Sequence, residues 1–395
     1  MDEDNAPAKT GRHWLLTALT GLLTLLAVAT CWLMFFDRRP LFLPAAFLRA
    51  FPFHVVVLTV FALVLLLIAI RRQRRAAVVL SVLATALSLA TGLVPLVAAA
   101  NTATAAGADV GPGEYLANAA RLNLGSPDPH RTVRFAAPNG HGLDLDVWPS
   151  QDKNSRAAVL HIHGGGWSSG SRGQTPDWDR LLTRLGFTVF DIEYRMVGDV
   201  PTGTAWQATV ADSKCALGWV TANAAKYGID PANISVLGQS AGGHLALMTA
   251  YTTGTGQFPS SCGGPEGKVK SVVSFYGPAD LEAYATGPDS TEAGRSVLTN
   301  VLGGTAAEHP DRYRAFSPVT YIRPGMPRTL ILQGERDYLV PQSQSHLLDE
   351  ALSRAKVDHQ AIYLPYSDHA FDVAWGSYQT QTARSAVTTF LGAGR

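Results

Sequence analysis

Charged residues are scarce in this chain of 395 residues. Asp, Glu, Lys and Arg make up only 16% of the sequence, whereas hydrophobic residues make up 47%. The 32 basic and 31 acidic residues leave a net charge of +1, which gives no electrostatic support for nucleic-acid binding. Low charge combined with a high apolar content is unusual for a soluble protein and favours a membrane portion.

Cysteine is also rare, with three in the chain. Cys31 lies in a long apolar run and is expected to pack there. Cys215 and Cys262 lie far downstream, and a disulfide between them is permitted if that region is outside the cell. The sequence does not fix their distance, so a disulfide and two free thiols both stay open.

Nucleotide-binding motifs are missing. The sequence has no G-x-x-x-x-G-K-[ST] and no G-x-G-x-x-G that opens a helix, and we predict no cofactor. His161 and His163 are two residues apart, so on a strand they share a face, as metal ligands would. They would still need a third ligand, and the glycines that follow would be unexplained, so we predict no metal site.

Three long apolar runs are present, and all lie in the first quarter of the chain, at residues 14–36, 53–70 and 76–100. None contains a charged residue, and each is near the ~20 residues that a helix needs to cross a bilayer. A cleaved signal peptide is disfavoured because two more runs follow the first. We predict three transmembrane helices; two spans plus a buried or interfacial segment is the alternative.

Basic residues in the short loops predict the orientation of these spans. The RRQRR motif at 71–75 joins the second and third runs, and Lys9 and Arg12 precede the first. The opposite loop contains three arginines, so the bias is modest. No basic residue follows the third run until Arg121. The positive-inside rule then predicts a multi-pass protein of the cell membrane, with a cytoplasmic N-terminus and the chain after residue 100 outside.

The pattern changes after the third run. Residues 101–114 are small, polar and rich in Gly and Pro, which indicates a linker. From 115 to 395, short β-branched runs alternate with helical patterns, which predicts an α/β domain with a mainly parallel sheet. Strands are predicted at 132–137, 143–148, 157–163, 187–194, 234–239, 269–277, 328–334 and 359–365. The first two strands alternate polar and apolar residues, as strands at an antiparallel edge do. The stretch 278–327 shows no regular pattern of this kind.

A G-x-S-x-G motif stands at 238–242, between a predicted strand and a predicted helix. This context is the one required for a nucleophile elbow, and it makes Ser240 the candidate nucleophile. A serine nucleophile needs a base and an acid that orients the base. Asp337 and His369 each follow a predicted strand in the right chain order, and they are favoured over Glu335 and Asp368.

The oxyanion of an acyl-transfer intermediate needs hydrogen-bond donors. One is the backbone N–H of Ala241, the residue after the nucleophile. The others are expected in the loop after the third strand, where Gly165 and Gly166 can turn their N–H groups toward one point.

These motifs together resemble the α/β-hydrolase superfamily, and within it the bacterial esterase and lipase branch related to hormone-sensitive lipase and to feruloyl and acetyl esterases. The resemblance covers about 130–395 and rests on HGGGW (163–167), GQSAGGH (238–244), GERDYLVP (334–341) and SDHAF (367–371). It implies an α/β-hydrolase fold with a mostly parallel eight-stranded sheet and helices on both faces.

The resemblance also implies roles for individual residues. Ser240 would be the nucleophile, His369 the base and Asp337 its partner, with His163 supporting the glycine loop. The expected activity is a membrane-anchored carboxylesterase that acts on small or lipid esters. An amidase or peptidase, or a non-catalytic interaction protein, is the alternative. The sequence indicates no protein partner.

Overall fold

A computed structural model describes residues 13–36, 42–118, 121–125, 131–264 and 266–392. The chain divides into two compact units, Met1–Asn101 and Thr102–Arg395. Lys9 and Arg12, on which the predicted orientation partly depends, lie outside the described residues. The orientation therefore stays a prediction.

The first unit is helical. Its helices are α1 (His13–Phe35), α2 (Phe42–Ala50), α3 (Phe53–Arg71) and α4 (Arg75–Ala105). Two stretches, Trp14–Phe35 and Arg75–Ala105, are long and apolar enough to cross a membrane. A third span results if Pro44–Ala50 and Val55–Arg71, which are bent by 84° relative to each other, form one broken span. Helices therefore occupy all three predicted runs, and the described residues contain two candidate membrane spans, or three with the broken one.

Small residues form one buried cluster in the first unit. Ala27 of α1, Ala62 of α3 and Ala84 of α4 are fully buried in it. Many large side chains of this unit point outward, with Leu22 66% exposed and Leu25 69% exposed. Close approach of helices through alanine, with leucine on the outside, is typical of helices packed in lipid.

The predicted linker is shorter than 101–114. Helix α4 continues to Ala105 because the end of this run is rich in alanine, the best helix former. A short helix, α5 (Pro112–Ala117), follows, with its proline at a position where the missing N–H costs nothing.

The second unit is built on one eight-stranded sheet with the order β1-β2-β4-β3-β5-β6-β7-β8. The strands are β1 (Arg131–Ala136), β2 (Leu143–Trp148), β3 (Ala157–Ile162), β4 (Phe187–Ile192), β5 (Ile234–Gln239), β6 (Ser271–Phe275), β7 (Arg328–Gly334) and β8 (His359–Leu364). Strand β2 pairs antiparallel with both β1 and β4, and all the other neighbouring strands pair parallel. The predicted fold class and all eight strands are confirmed.

Helices cover both faces of this sheet. They are α6 (Pro176–Arg184), α7 (Ala205–Ala222), α8 (Ala241–Thr252), α9 (Leu281–Thr286), α10 (Glu292–Leu302), α11 (Pro310–Ala315), α12 (Gln342–Arg354) and α13 (Tyr378–Gly392). In β3, Ala158 and Leu160 join one buried apolar cluster, while Ala157 and Val159 join another. Alternate residues of a strand face opposite sides, so the sheet separates two cores.

The second unit answers two questions that the sequence left open. Cys215 of α7 and Cys262 form a disulfide, with their Cα atoms 5.5 Å apart. The irregular stretch 278–327 contains three short helices, α9 to α11. Thr291 caps the N-terminus of helix α10, and its side chain accepts a hydrogen bond from the N–H of Gly294.

Candidate active site

Ser240 lies in a sharp turn between β5 and α8. Its φ is 54° and its ψ is −120°, a conformation that non-glycine residues rarely adopt. The flanking glycines give the turn its space. A Cβ on Gly238 would lie 2.3 Å from the carbonyl oxygen of Gly242, and one on Gly242 would lie 2.0 Å from that of Ile162. The two glycines of the G-x-S-x-G motif are therefore required, because a Cβ at either position would clash with a backbone carbonyl oxygen.

Ser240, His369 and Asp337 are joined by hydrogen bonds. His369 Nε2 lies 2.9 Å from Ser240 Oγ, and His369 Nδ1 lies 2.7 Å from Asp337 Oδ2. When Nδ1 donates to the carboxylate, Nε2 carries a free lone pair and accepts the serine hydroxyl proton. This arrangement can deprotonate the serine as it attacks a carbonyl.

Asp337 is fixed by the loop after β7. Its Oδ1 accepts from the N–H groups of Leu339 and Val340 at 2.9 and 2.8 Å. Asp337 is buried, whereas Glu335, the competing carboxylate, is exposed. The geometry therefore selects Asp337 as the partner of the histidine.

Gln333 is a support for this carboxylate that the sequence analysis missed. Its Nε2 lies 3.3 Å from Asp337 Oδ2, and its Oε1 accepts from Ser345 Oγ at 2.8 Å. The available signal was a glutamine in an otherwise apolar strand, RTLILQG, where a buried amide needs partners.

The glycine loop after β3 lies against the elbow. A Cβ on Gly164 would lie 3.4 Å from the Cβ of Ser240. Gly165 has a φ of +117°, and a Cβ there would lie 2.0 Å from the carbonyl oxygen of Ser169, so glycine is required. In the described part of the chain, neither Gly165 nor Gly166 donates its N–H to a backbone carbonyl. Ala241 opens α8, where an N–H has no partner within the helix.

His163 and Tyr194 lie behind this loop. His163 Nδ1 donates to the carbonyl of Gly164 at 2.7 Å, and the Tyr194 hydroxyl donates to the carbonyl of His163 at 3.1 Å. The two rings stack with centroids 4.4 Å apart. Burial lowers the pKa of His163 to about 4, so this imidazole is neutral at pH 7.

His161 belongs to a buried polar network beneath the elbow. Its Nδ1 lies 2.7 Å from Asp179 Oδ1, and its Nε2 lies 3.0 Å from Oε1 of Gln239, the residue before Ser240. Burial lowers the pKa of His161, but the carboxylates of Asp179 and Asp191 outweigh burial and raise this pKa to about 9. This raised pKa favours the imidazolium form of His161 at pH 7, which the sequence, showing only a strand histidine, did not reveal.

His161, Asp179 and Asp191 also offer metal-ligating atoms within 4.8 Å of one another. One imidazole and two carboxylates suit zinc or a similar divalent ion. The Nδ1 of His161, however, is taken by its hydrogen bond with Asp179. The sequence raised a different pair of candidate metal ligands, His161 and His163. His163 is not in the present set, because it forms a hydrogen bond with the glycine loop instead.

A cavity of about 440 Å³ opens at Ser240. The glycine loop and His369 line it, together with side chains from the loops and helices that overhang the sheet. The apolar part of its wall includes Pro278, Tyr284, Val297, Leu339, Val340 and Val373. Helices α9 and α10, which the sequence analysis left irregular, thus form part of the cavity.

Comparison with known proteins gives matches in this same region. Residues 143–352, more than half of the chain, match the BD-FAE family. Esterase LipQ of Mycobacterium tuberculosis is 32% identical over 280 residues, which cover 67% of this chain and 64% of the relative. A probable carboxylic ester hydrolase of the same organism, LipM, is 31% identical over 287 residues, with the same coverage. The chain thus spans just under two thirds of the length of these relatives.

Solved structures agree on the fold. A truncated carbohydrate esterase from gut microbiota is 24% identical, with a TM-score of 0.59, and the match covers 69% of this chain and 98% of that one. A thermophilic esterase from Thermogutta terrifontis is 23% identical, with a TM-score of 0.55, covering 70% and 97%. The chain belongs to the BD-FAE family, and its second unit has the α/β-hydrolase fold.

Proposed function

We propose that this protein is a serine ester hydrolase of the carboxylesterase type. The observation that carries the proposal is the unbroken hydrogen-bonded series from Ser240 through His369 to Asp337. The names of the relatives, which are esterases and a carboxylic ester hydrolase, support the same reaction class. The substrate is a small or acyl ester that fits the cavity of about 440 Å³.

The reaction proceeds through an acyl-enzyme. Ser240 Oγ attacks the ester carbonyl while its proton passes to His369 Nε2, and the N–H groups of Gly165, Gly166 and Ala241 hold the oxyanion. Collapse of this intermediate breaks the ester bond, and the alcohol leaves with the proton from Nε2. Water then attacks the acyl group, gives its proton to Nε2, and releases the acid as Ser240 regains its hydrogen.

Supporting groups keep these atoms in place. Asp337 holds the tautomer of His369 and stabilises the imidazolium that forms during the reaction. His163, which is neutral and stacked on Tyr194, holds the glycine loop through the carbonyl of Gly164. No step needs a cofactor or a metal ion.

The first unit serves as a membrane anchor in this proposal. Its exposed leucines and buried alanines support contact with lipid. The catalytic unit lies outside the cytoplasm, with the N-terminus inside. The arginines at 71–75 and the Cys215–Cys262 disulfide support this orientation, because disulfides persist in oxidising compartments. A protease accessibility map of intact cells tests it, and cleavage of the catalytic unit only after lysis refutes it.

The test of the reaction uses the full chain in detergent. A p-nitrophenyl ester and the matching p-nitroanilide are compared, with fluorophosphonate labelling of the nucleophile. We expect labelling and rapid ester cleavage with slow anilide cleavage; Ser240→Ala abolishes labelling, while Ser353→Ala on the exposed face of α12 does not. Faster cleavage of the anilide would establish an amidase instead. A chain that neither labels nor cleaves either compound would be a non-catalytic member of the fold.

A further inference from the structure

A second cavity, of about 900 Å³, adjoins the catalytic one. Its wall comes largely from α9, α10 and the segment that follows α10. Most of its lining residues are Ala, Gly, Ser and Thr, and its charged side chains, Glu292 and Arg295, are exposed. A neutral, flexible chain fits such a lining better than an ion does, because no buried charge is present to pair with an ionic group.

Val297 and Ser168 belong to the walls of both cavities. Val297 lies on α10 against the glycine loop: a Cβ on Gly166 would be 3.3 Å from Val297 Cγ1 and 3.9 Å from Ser168 Oγ. The two side chains therefore stand together at the boundary, next to the proposed oxyanion donors.

The chemistry decides which end of an ester points to this boundary. His369 Nε2 returns its proton to the departing alcohol, so the alcohol oxygen lies beside His369, at the end of the cavity that Ala370 and Val373 line. The acyl chain is the other substituent of the carbonyl carbon, and it extends away from His369. The glycine loop and Val297 line the same cavity, and in our proposal the acyl chain lies against them.

We propose that Val297 sets the length of acyl chain that the enzyme accepts. When this side chain is shortened, a longer aliphatic acyl chain enters the second cavity, which is the subsite for it. The inference rests on the proposed ester hydrolysis and adds the class of substrate to it. Each methylene that leaves water for the subsite raises kcat/KM by roughly fourfold.

The test uses two series of esters on the full chain in detergent. One series lengthens the acyl chain from acetyl to dodecanoyl with p-nitrophenol as the common leaving group; the other lengthens the alcohol on a common acetyl group. For each variant, the ratio of kcat/KM for long and short esters is compared. Val297→Ala is expected to lengthen the preferred acyl chain by two or more carbons. The ratio of kcat/KM for long and short acyl esters should then rise by about tenfold or more, while the same ratio in the alcohol series stays unchanged.

Two further variants complete the design. Val297→Phe narrows the boundary and is expected to remove activity on long acyl chains relative to acetyl. Ala307→Trp, which fills the second cavity from its exposed side, is expected to reverse the gain of Val297→Ala. A shift in the alcohol series instead, or unchanged acyl ratios in both Val297 variants, overturns the inference. Fluorophosphonate labelling of Ser240 separates these outcomes from failure of the proposed reaction, which would abolish labelling in the wild-type chain.

Discussion

The two units of this protein differ in where their large apolar side chains lie. In the first unit, Ala27, Ala62 and Ala84 are fully buried while many leucines, such as Leu22 and Leu25, are exposed; in the second, large residues such as Trp178 and Phe275 are buried. Water drives large apolar groups into a core, whereas lipid gives them no reason to leave the surface, so close approach of small residues replaces hydrophobic burial. The same amino acids therefore indicate different interiors in the two halves.

The units also differ in their polar groups. The first unit has few ionisable side chains, whereas the second unit buries a series of them around the turn at Ser240. Buried polar groups that are fully paired define one arrangement, and each lost partner is costly. The following variants test this contrast, from the largest expected effect to the smallest.

Removing the charge of Asp337 should nearly abolish activity. In Asp337→Asn the amide no longer holds the required tautomer of His369, and kcat for ester hydrolysis is expected to fall by about 10³–10⁴-fold. Steady-state kinetics of the full chain measures the loss. Glu335→Gln is the matched control, because that exposed carboxylate lies in the same loop, and a comparable loss in the control would contradict the assignment of Asp337.

Removing the disulfide should destabilise the second unit alone. The double change Cys215→Ser and Cys262→Ser releases a constraint between residues 47 apart in sequence, at a cost of about 4 kcal/mol. Loss of esterase activity on heating reports on the second unit, and maleimide labelling of Cys31 reports on the first. A lower inactivation temperature with an unchanged labelling rate is expected. A faster reaction of Cys31 would show that the units are not independent.

The buried imidazolium should make stability depend on pH. Because the pKa of His161 is raised from 6.5 to about 9 in the folded protein, its contribution is complete below pH 6.5 and is lost as the pH rises through 9. Between pH 7 and pH 10, the free energy of unfolding is expected to fall by on the order of 2 kcal/mol. The midpoint temperature of thermal inactivation, measured across this pH range, is expected to fall with it. In His161→Gln the starting stability is lower and this fall is absent. An equal fall in both proteins would assign it to other groups.

A larger residue in the interior of the first unit should have the smallest effect. Ala84→Leu forces α4 away from its neighbours, at about 1–2 kcal/mol, and should speed maleimide labelling of Cys31 without changing ester hydrolysis. Leu22→Ala, on the exposed side of α1, is the control and should change neither rate. If Leu22→Ala speeds the labelling as much, then leucine packing rather than alanine packing holds the helices together.

The sequence was sufficient for those parts of the site that depend on local rules. The strands of the second unit were visible as short runs, alternating in the first two and largely apolar in the others, and Ser240 was marked by a turn that only small neighbours permit. Asp337 and His369 followed because parallel strands bring their carboxyl ends to one edge. These features need only the order of the elements and the direction of the strands.

The remaining features depend on contacts between distant residues. His161 meets Asp179 eighteen residues later and Gln239 seventy-eight residues later, so its charge cannot be inferred from the strand in which it lies. Helices α9 to α11 are short, and their residues pack against other elements of the unit, which the local pattern does not encode. The linker began later than predicted because alanine continued the helix where composition suggested a coil.

The position of β3 between β4 and β5 has a practical consequence for handling the protein. The chain leaves β3 to one side and returns on the other, so the crevice that holds Ser240 lies at the carboxyl ends of these strands. The opposite rim, which includes the exposed Lys153 in the loop before β3, lies about one strand length away, or ~20 Å. A fluorophore or a surface tether attached at Lys153 would therefore immobilise or track the protein while the entrance for substrate stays free.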